Sequence, residues 1–220
     1  AVLASFARAN STGPLRWHTD PFDLILLFCT CAGMHGGLSK LSSQPYVYNQ
    51  ILRRRPDLHA LLCQDYWRVR PGNPTDDFDD TTEDEVWALP PLAVRGNKTA
   101  NTQYSRTYIE QAQERAEEFG VPLLTPAQDE ALNMLAQVAE EGCVTLPFEV
   151  GDLQLVNNHN CFHGRTSYVD DPAAVGGTRE LLRLWLQLDE PRDLPVGAFA
   201  LRARGVRADS AAAVEHFDVS

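Results

Sequence analysis

A chain of 220 residues with 44% apolar content is long enough to bury one sizeable core and lies within the range of a single β-barrel domain. Its formal net charge of −11 excludes the basic surface on which nucleic-acid binding rests, so small molecules are the expected partners. No run approaches the roughly 18 consecutive apolar residues of a membrane span, which excludes a transmembrane helix.

The five cysteines (Cys29, Cys31, Cys63, Cys143 and Cys161) form an odd set without CxxC spacing. That pattern fits a reducing compartment, and with no secretory pattern at the start the expected location is cytoplasmic.

In chain order, Ser11-Thr12-Gly13-Pro14 marks a turn, and Leu15 to Trp17 lead into His18 as a short strand does. Side chains alternate faces along a strand, so His18 and Asp20 share one side while Thr19 points away, a spacing suited to chelation. Asp23 to Ala32 is a near-continuous apolar run, expected to be a strand buried on both faces. It enters a loop, Gly33 to Ser39, in which paired glycines permit close backbone approach and Ser39 is expected to be an exposed hydroxyl donor. His35 in the same loop reads as a solvated histidine.

Pro45 to Arg55 carries helix signals and closes on three arginines that read as a solvated cap; Leu58 to Gln64 is a second short helix, and Tyr66 to Arg70 a strand. Gly72 to Glu85 holds seven carboxylates in fourteen residues and is expected to be a mobile acidic loop, without the spacing of a calcium loop. Val86 to Arg95 and Gln103 to Ser105 read as strands joined across Gly96-Asn97.

Arg106 to Phe119 and Thr125 to Glu141 are the clearest helices, the second opening on a capping box with proline at its first position. Val144 to Val150, Leu153 to Asn157 and Leu181 to Leu188 are further strands. Strands at both ends with helices between them describe a barrel carrying a helical insertion near residues 106–141.

Six pieces stand in order along the chain: His18-Thr19-Asp20, Gly36-Gly37-Leu38-Ser39, Gly151-Asp152 ahead of an apolar strand, Asn157-Asn158, His163-Gly164-Arg165-Thr166 and Arg179-Glu180-Leu181-Leu182-Arg183-Leu184-Trp185. Together they resemble the taurine dioxygenase-like (TauD/TfdA) branch of the iron(II), 2-oxoglutarate-dependent dioxygenases. The resemblance implies one domain over residues 1–220, mainly β, built as a double-stranded β-helix (a clavaminate synthase-like jelly roll). It also implies an oxidoreductase that hydroxylates or otherwise oxidises a small organic substrate, using Fe(2+), O2 and 2-oxoglutarate and releasing succinate and CO2.

By that resemblance His18, Asp20 and His163 are the metal ligands and catalytic centre. Two imidazoles and a carboxylate on one face of an iron(II) octahedron leave three positions for a bidentate oxo acid and dioxygen. Ligating atoms in such a set are expected within roughly 3 to 4 Å of one another. Arg179 and Ser39 are implied to bind the distal carboxylate of the cosubstrate, since a guanidinium grips a carboxylate bidentately. Arg183, four residues on and on the same strand face, is implied to bind an anionic primary substrate. His159 occupies a position that is not usually a ligand.

Members of this family usually carry a longer segment ahead of the first ligand, whereas seventeen residues precede His18 here. A fragment is one expectation, with an exposed apolar edge near Leu15 to Asp20, and a naturally short chain the other. Two rivals remain at this stage: a non-catalytic jelly-roll module that keeps metal or ligand binding, and a cupin-like metalloenzyme without 2-oxoglutarate, against which Arg179 speaks.

Overall fold

The structure is a computed structural model describing residues 2–5, 12–72, 83–95, 98–173 and 175–188. In chain order, its first half runs β1 (Val2–Ser5), β2 (Leu15–His18), β3 (Leu24–Cys31), β4 (His35–Gly36), β5 (Ser39–Ser43), α1 (Gln44–Arg54), α2 (Pro56–Leu62), β6 (Tyr66–Arg70), β7 (Glu85–Leu89), β8 (Ala93–Arg95) and β9 (Lys98–Asn101). There follow α3 (Arg106–Glu114), α4 (Ala116–Phe119), α5 (Pro126–Glu141), β10 (Cys143–Leu146), β11 (Leu153–Asn157), β12 (Cys161–Arg165), β13 (Tyr168–Val169) and β14 (Glu180–Leu186).

Two four-stranded sheets dominate, ordered β1-β14-β3-β11 and β10-β5-β12-β2, with every neighbouring pair antiparallel. Strands alternate between the sheets along the chain, so this is the double-stranded β-helix, or jelly roll. Between the sheets lies a small apolar cluster of Phe22, Ile25, Val156 and Trp185. A larger core forms where α1, α2 and α5 cover the outside of the second sheet, packing Val47, Ile51, Leu62, Leu132 and Leu135 against Trp17 and Phe162. Each such fully buried side chain contributes roughly 1.5–3 kcal/mol, which makes this helix-on-sheet layer the main anchor of the second sheet.

Local signals explain the helix positions. Ser43 caps α1 by accepting from the backbone N–H of Tyr46, and α5 opens with the reciprocal capping box of Thr125 and Gln128 behind Pro126. Arg106 to Phe119, expected as one helix, breaks at Arg115 (φ −112°, ψ 23°) into α3 and α4.

Other departures follow from pairing. The strand expected over Val86 to Arg95 is split: β7 pairs with β6, and β8 turns back onto β9 rather than onto Gln103 to Ser105. Proline at 90 and 91 supplies no ladder N–H, which ends β7. Gly96-Asn97 and residues 73–82 of the acidic stretch lie outside the described residues. Glu85, read as part of that loop, instead starts β7, buried beside Arg70 at 3.8 Å. β3 is not buried on both faces: Ile25 and Cys29 are buried, whereas Leu24, Leu26 and Phe28 on the outer face are half-exposed.

β2 is the outermost strand of its sheet among the described residues, and Leu15 is exposed there. Its end is covered, because Thr19 N–H donates to the Tyr104 carbonyl at 2.9 Å and Ser105 bridges His18. No helix among the described residues is long and apolar enough to cross a membrane.

Candidate metal centre

β12 pairs with β2 in a register that sets His163 directly opposite His18, and their rings lie 4.2 Å apart between centroids. Asp20, just past the end of β2, brings Oδ1 to 3.5 Å from His18 Nε2 and 3.8 Å from His163 Nε2. All three ligating atoms fall within 4.8 Å of one another, and they are the one such His/Cys/Asp/Glu group among the described residues. Metal–ligand bonds of about 2.0–2.2 Å put neighbouring ligands roughly 3 Å apart, so closing round an ion takes side-chain shifts of about an ångström. The carboxylate–imidazole distances match the expectation, and the full set is slightly wider.

The electrostatics fit a cation. His18 Nδ1 donates to the Arg16 carbonyl at 2.8 Å, which leaves Nε2 facing Asp20 as the ligating nitrogen. Burial pushes His163 down to about 3, helped by the neighbouring His18, so this imidazole is neutral. For Asp20, burial alone would raise the pKa, but the His18 hydrogen bond and the charges of Arg183 and His163 outweigh it and hold the carboxyl well below its ordinary range. His18 balances burial against Asp20, and Asp20 wins, so its pKa is raised. A preformed carboxylate with one neutral imidazole and one that releases its proton on binding is a donor set for a first-row dication.

Two cavities meet at this triad. The inner one, about 100 Å³ between the sheets, is lined by Ser39, Gln154, Arg165, Tyr168, Arg179 and Arg183 along with the triad. Three guanidiniums there face a single carboxylate, Asp20. Arg179 is held from several directions: its backbone N–H donates to Asp170 at 2.8 Å, its guanidinium reaches the Gly37 carbonyl at 3.5 Å, and Tyr168 lies under it at 5.4 Å. Gly37 has φ +69°, and a Cβ there would stand 2.7 Å from Arg179 Nε, so side-chain space and backbone conformation both require glycine. Arg165 covers the other face of the cavity, 4.3 Å over the Tyr168 ring, with one nitrogen on the Gly13 carbonyl.

The outer cavity, about 170 Å³, is lined by Arg70, Trp87, Tyr104, Tyr108 and Trp185 on the opposite side of His18 and Asp20. Arg183 lines both cavities, 3.6 Å from Asp20 Oδ2.

Ser39 corrects the expectation of an exposed donor: it opens β5, is buried, and donates to Gln154 Oε1 at 2.6 Å inside the inner cavity. His159 points away from the triad and bonds Asp23 Oδ1 at 2.8 Å, tying the turn before β12 to β3. Sequence reading missed Gln154, Tyr168 and the outer-cavity aromatics. Gln154 left a signal, a lone amide between the leucines of an alternating strand.

The chain is 33% identical over 187 residues to the taurine hydroxylase-like protein SAT17 of Stachybotrys chartarum, covering 83% of this chain and 44% of that protein. It is 30% identical to the FR-33289 synthase of Streptomyces rubellomurinus, covering 82% and 52%. The chain thus spans about half the length of the curated relatives it matches. Among solved structures, asparagine oxygenase with Fe(II), 2S,3S-3-hydroxyasparagine and succinate superposes with TM-score 0.59 at 19% identity, over 83% of this chain and 53% of that one. The non-heme iron oxygenase OrfP with Fe and alpha-ketoglutaric acid superposes with TM-score 0.54 at 15% identity, over 86% and 56%. These likenesses establish the shared jelly roll. The model of the "Taurine catabolism dioxygenase TauD, TfdA family" matches residues 3–185, and the chain therefore belongs to that family.

Proposed function

We propose that this protein is an iron(II)- and 2-oxoglutarate-dependent oxygenase that oxidises a small organic substrate and releases succinate and CO2. The observation that carries the reading is the inner cavity: small, lined by Arg165, Arg179 and Arg183, and open on the triad. A short dianion would lie there with one end at the triad and the other on a cation.

His18, Asp20 and His163 would hold iron(II), which supplies the activation of dioxygen. Arg179 would pair with the distal carboxylate of 2-oxoglutarate, an interaction strengthened by the half-buried surroundings. Ser39, already oriented by Gln154, lies in the same cavity for a hydroxyl contact. The aromatic walls of the outer cavity would exclude water from the primary substrate, and Arg183, between the cavities, would meet an anionic group on it. A cytoplasmic setting agrees with all five cysteines being free thiols.

The test is to mix purified protein with iron(II), 2-oxoglutarate and oxygen and measure succinate, with and without panels of amino acids, small carboxylates, sulfonates and betaines. Substrate-stimulated succinate release is the expected result. Binding of 2-oxoglutarate with no succinate under any panel member would indicate a ligand-binding jelly roll instead.

A further inference from the structure

We propose that Trp185 is a positioning residue which decides how Asp20 meets a metal: its indole N–H ties off one carboxylate oxygen, so that only the other remains for the ion. The inference rests on the metal reading above and concerns a residue outside the ligand set.

The two oxygens of Asp20 are chemically equivalent until the protein distinguishes them, and here it does. Oδ1 faces both imidazoles, 3.5 Å from His18 Nε2 and 3.8 Å from His163 Nε2. Oδ2 accepts from Trp185 Nε1 at 2.9 Å. A carboxylate free to use both oxygens takes two positions on a metal. With two imidazoles already bound, that would leave two positions for an oxo acid and dioxygen, which together need three. A hydrogen bond to a charged acceptor is among the stronger ones, and breaking it to gain a second metal–oxygen bond would be opposed by its loss.

The donor is held rigidly. Trp185 is buried on the inner face of β14, opposite Ile25 of β3, with its ring stacked near Phe22 at 6.1 Å between centroids. The Arg183 guanidinium lies 3.9 Å over the same ring, and its Nη1 is 3.6 Å from the same Oδ2. Trp185 therefore comes from one sheet and Asp20 from the end of a strand in the other, so the hydrogen bond also spans the barrel at the metal. Outer partners of this kind commonly set the orientation of a ligating carboxylate.

Trp185→Phe keeps the stacked ring and deletes the N–H. The metal-only readout is the visible spectrum of the cobalt(II)-loaded protein, whose band intensities fall as coordination number rises. The expected result is a spectrum of higher coordination in Trp185→Phe than in wild type, with the thermal midpoint of the metal-free protein lowered by a few degrees and the fold retained. The second readout is anaerobic titration of 2-oxoglutarate into the iron(II) proteins, where Kd is expected to rise about tenfold, the weight of one hydrogen bond to a charged group. Trp185→His, which restores a ring donor, should recover part of both effects.

Identical cobalt spectra for wild type and Trp185→Phe would overturn the proposal. If the variant does not fold, 15N-tryptophan labelling of the wild type decides it. The Trp185 indole proton should stay protected from exchange after zinc(II) is added, and a freely exchanging proton in the loaded protein would overturn the proposal. Failure of the wild type to bind 2-oxoglutarate would remove the proposed function but leave the cobalt comparison as a reading of Asp20 alone.

Discussion

His163 stands directly opposite His18 across the β2–β12 ladder, and this single register pair brings together imidazoles from opposite ends of the chain. Because side chains alternate along a strand, a slip of one residue would send one ring to the other face of the sheet and abolish the centre. The register shift that follows, between His163 and Arg165, places the extra residue on β2, where Arg16 and Trp17 together oppose Gly164.

Gly164 is therefore a sensitive position. A Cβ there would sit 3.0 Å from the Leu15 backbone carbonyl, so β12 and β2 would have to give by a few tenths of an ångström beside His163. Gly164→Ala is expected to cost about 1–3 kcal/mol of stability through overpacking. It should also weaken metal binding at least tenfold, because His163 moves with the strand. Denaturant unfolding and a cobalt(II) titration measure the two effects, and unchanged metal affinity would show that the pair tolerates displacement.

Arg179 and Arg183 differ in what they touch. Arg179→Ala should cost roughly 2–5 kcal/mol of 2-oxoglutarate binding, by analogy with truncated buried charge pairs, and leave metal affinity nearly intact. Arg183 touches Asp20 as well as both cavities, so Arg183→Ala should weaken an anionic substrate and disturb the metal carboxylate together. Anaerobic titrations of metal, then 2-oxoglutarate, into each variant separate these outcomes. Loss of 2-oxoglutarate binding in Arg183→Ala with none in Arg179→Ala would reverse the assignment.

Metal affinity should depend on pH with a definite sign. Despite burial, the carboxylate of Asp20 raises His18 above its ordinary value of 6.5. In the metal-free protein, this pairing stabilises the fold fully below the unfolded pKa and fades as pH rises through the folded one. Metal binding runs the other way, since it displaces the His18 proton, so affinity should climb with pH through the same window and then level off. His163, pushed down to about 3 by burial, should add no step near neutrality. Calorimetric zinc(II) titrations in buffers of different ionisation enthalpy would count the released proton; no proton release below the plateau would contradict this account.

The cap of α5 offers a control for stability without chemistry. Thr125 accepts from the Gln128 N–H and receives nothing from the site, so Thr125→Ala should cost about 1 kcal/mol in unfolding free energy and leave metal and 2-oxoglutarate affinities unchanged. Thermal unfolding and the same titrations check both halves.

What the sequence determined by itself was everything decided over a few residues. Thr125-Pro126-Ala127-Gln128 set the start of α5 because a capping box satisfies its own backbone groups. The even spacing of Arg179 and Arg183 placed them on one strand face because side chains alternate with period two, and the pattern of strand and helix signals described a barrel with a helical insertion, while the jelly roll itself came from the resemblance that the six motifs carry. Tertiary structure alone decided the rest. Ser39 looked like an exposed loop hydroxyl until β5 paired with β12 and turned it onto Gln154. The run over Val86 to Arg95 read as one strand until its halves found different partners, β6 and β9. The bond between Trp185 and Asp20 joins two sheets, and no local pattern records it. Such contacts depend on strand register and on how the two sheets face each other, and these are set by packing across the barrel rather than by any short stretch of chain.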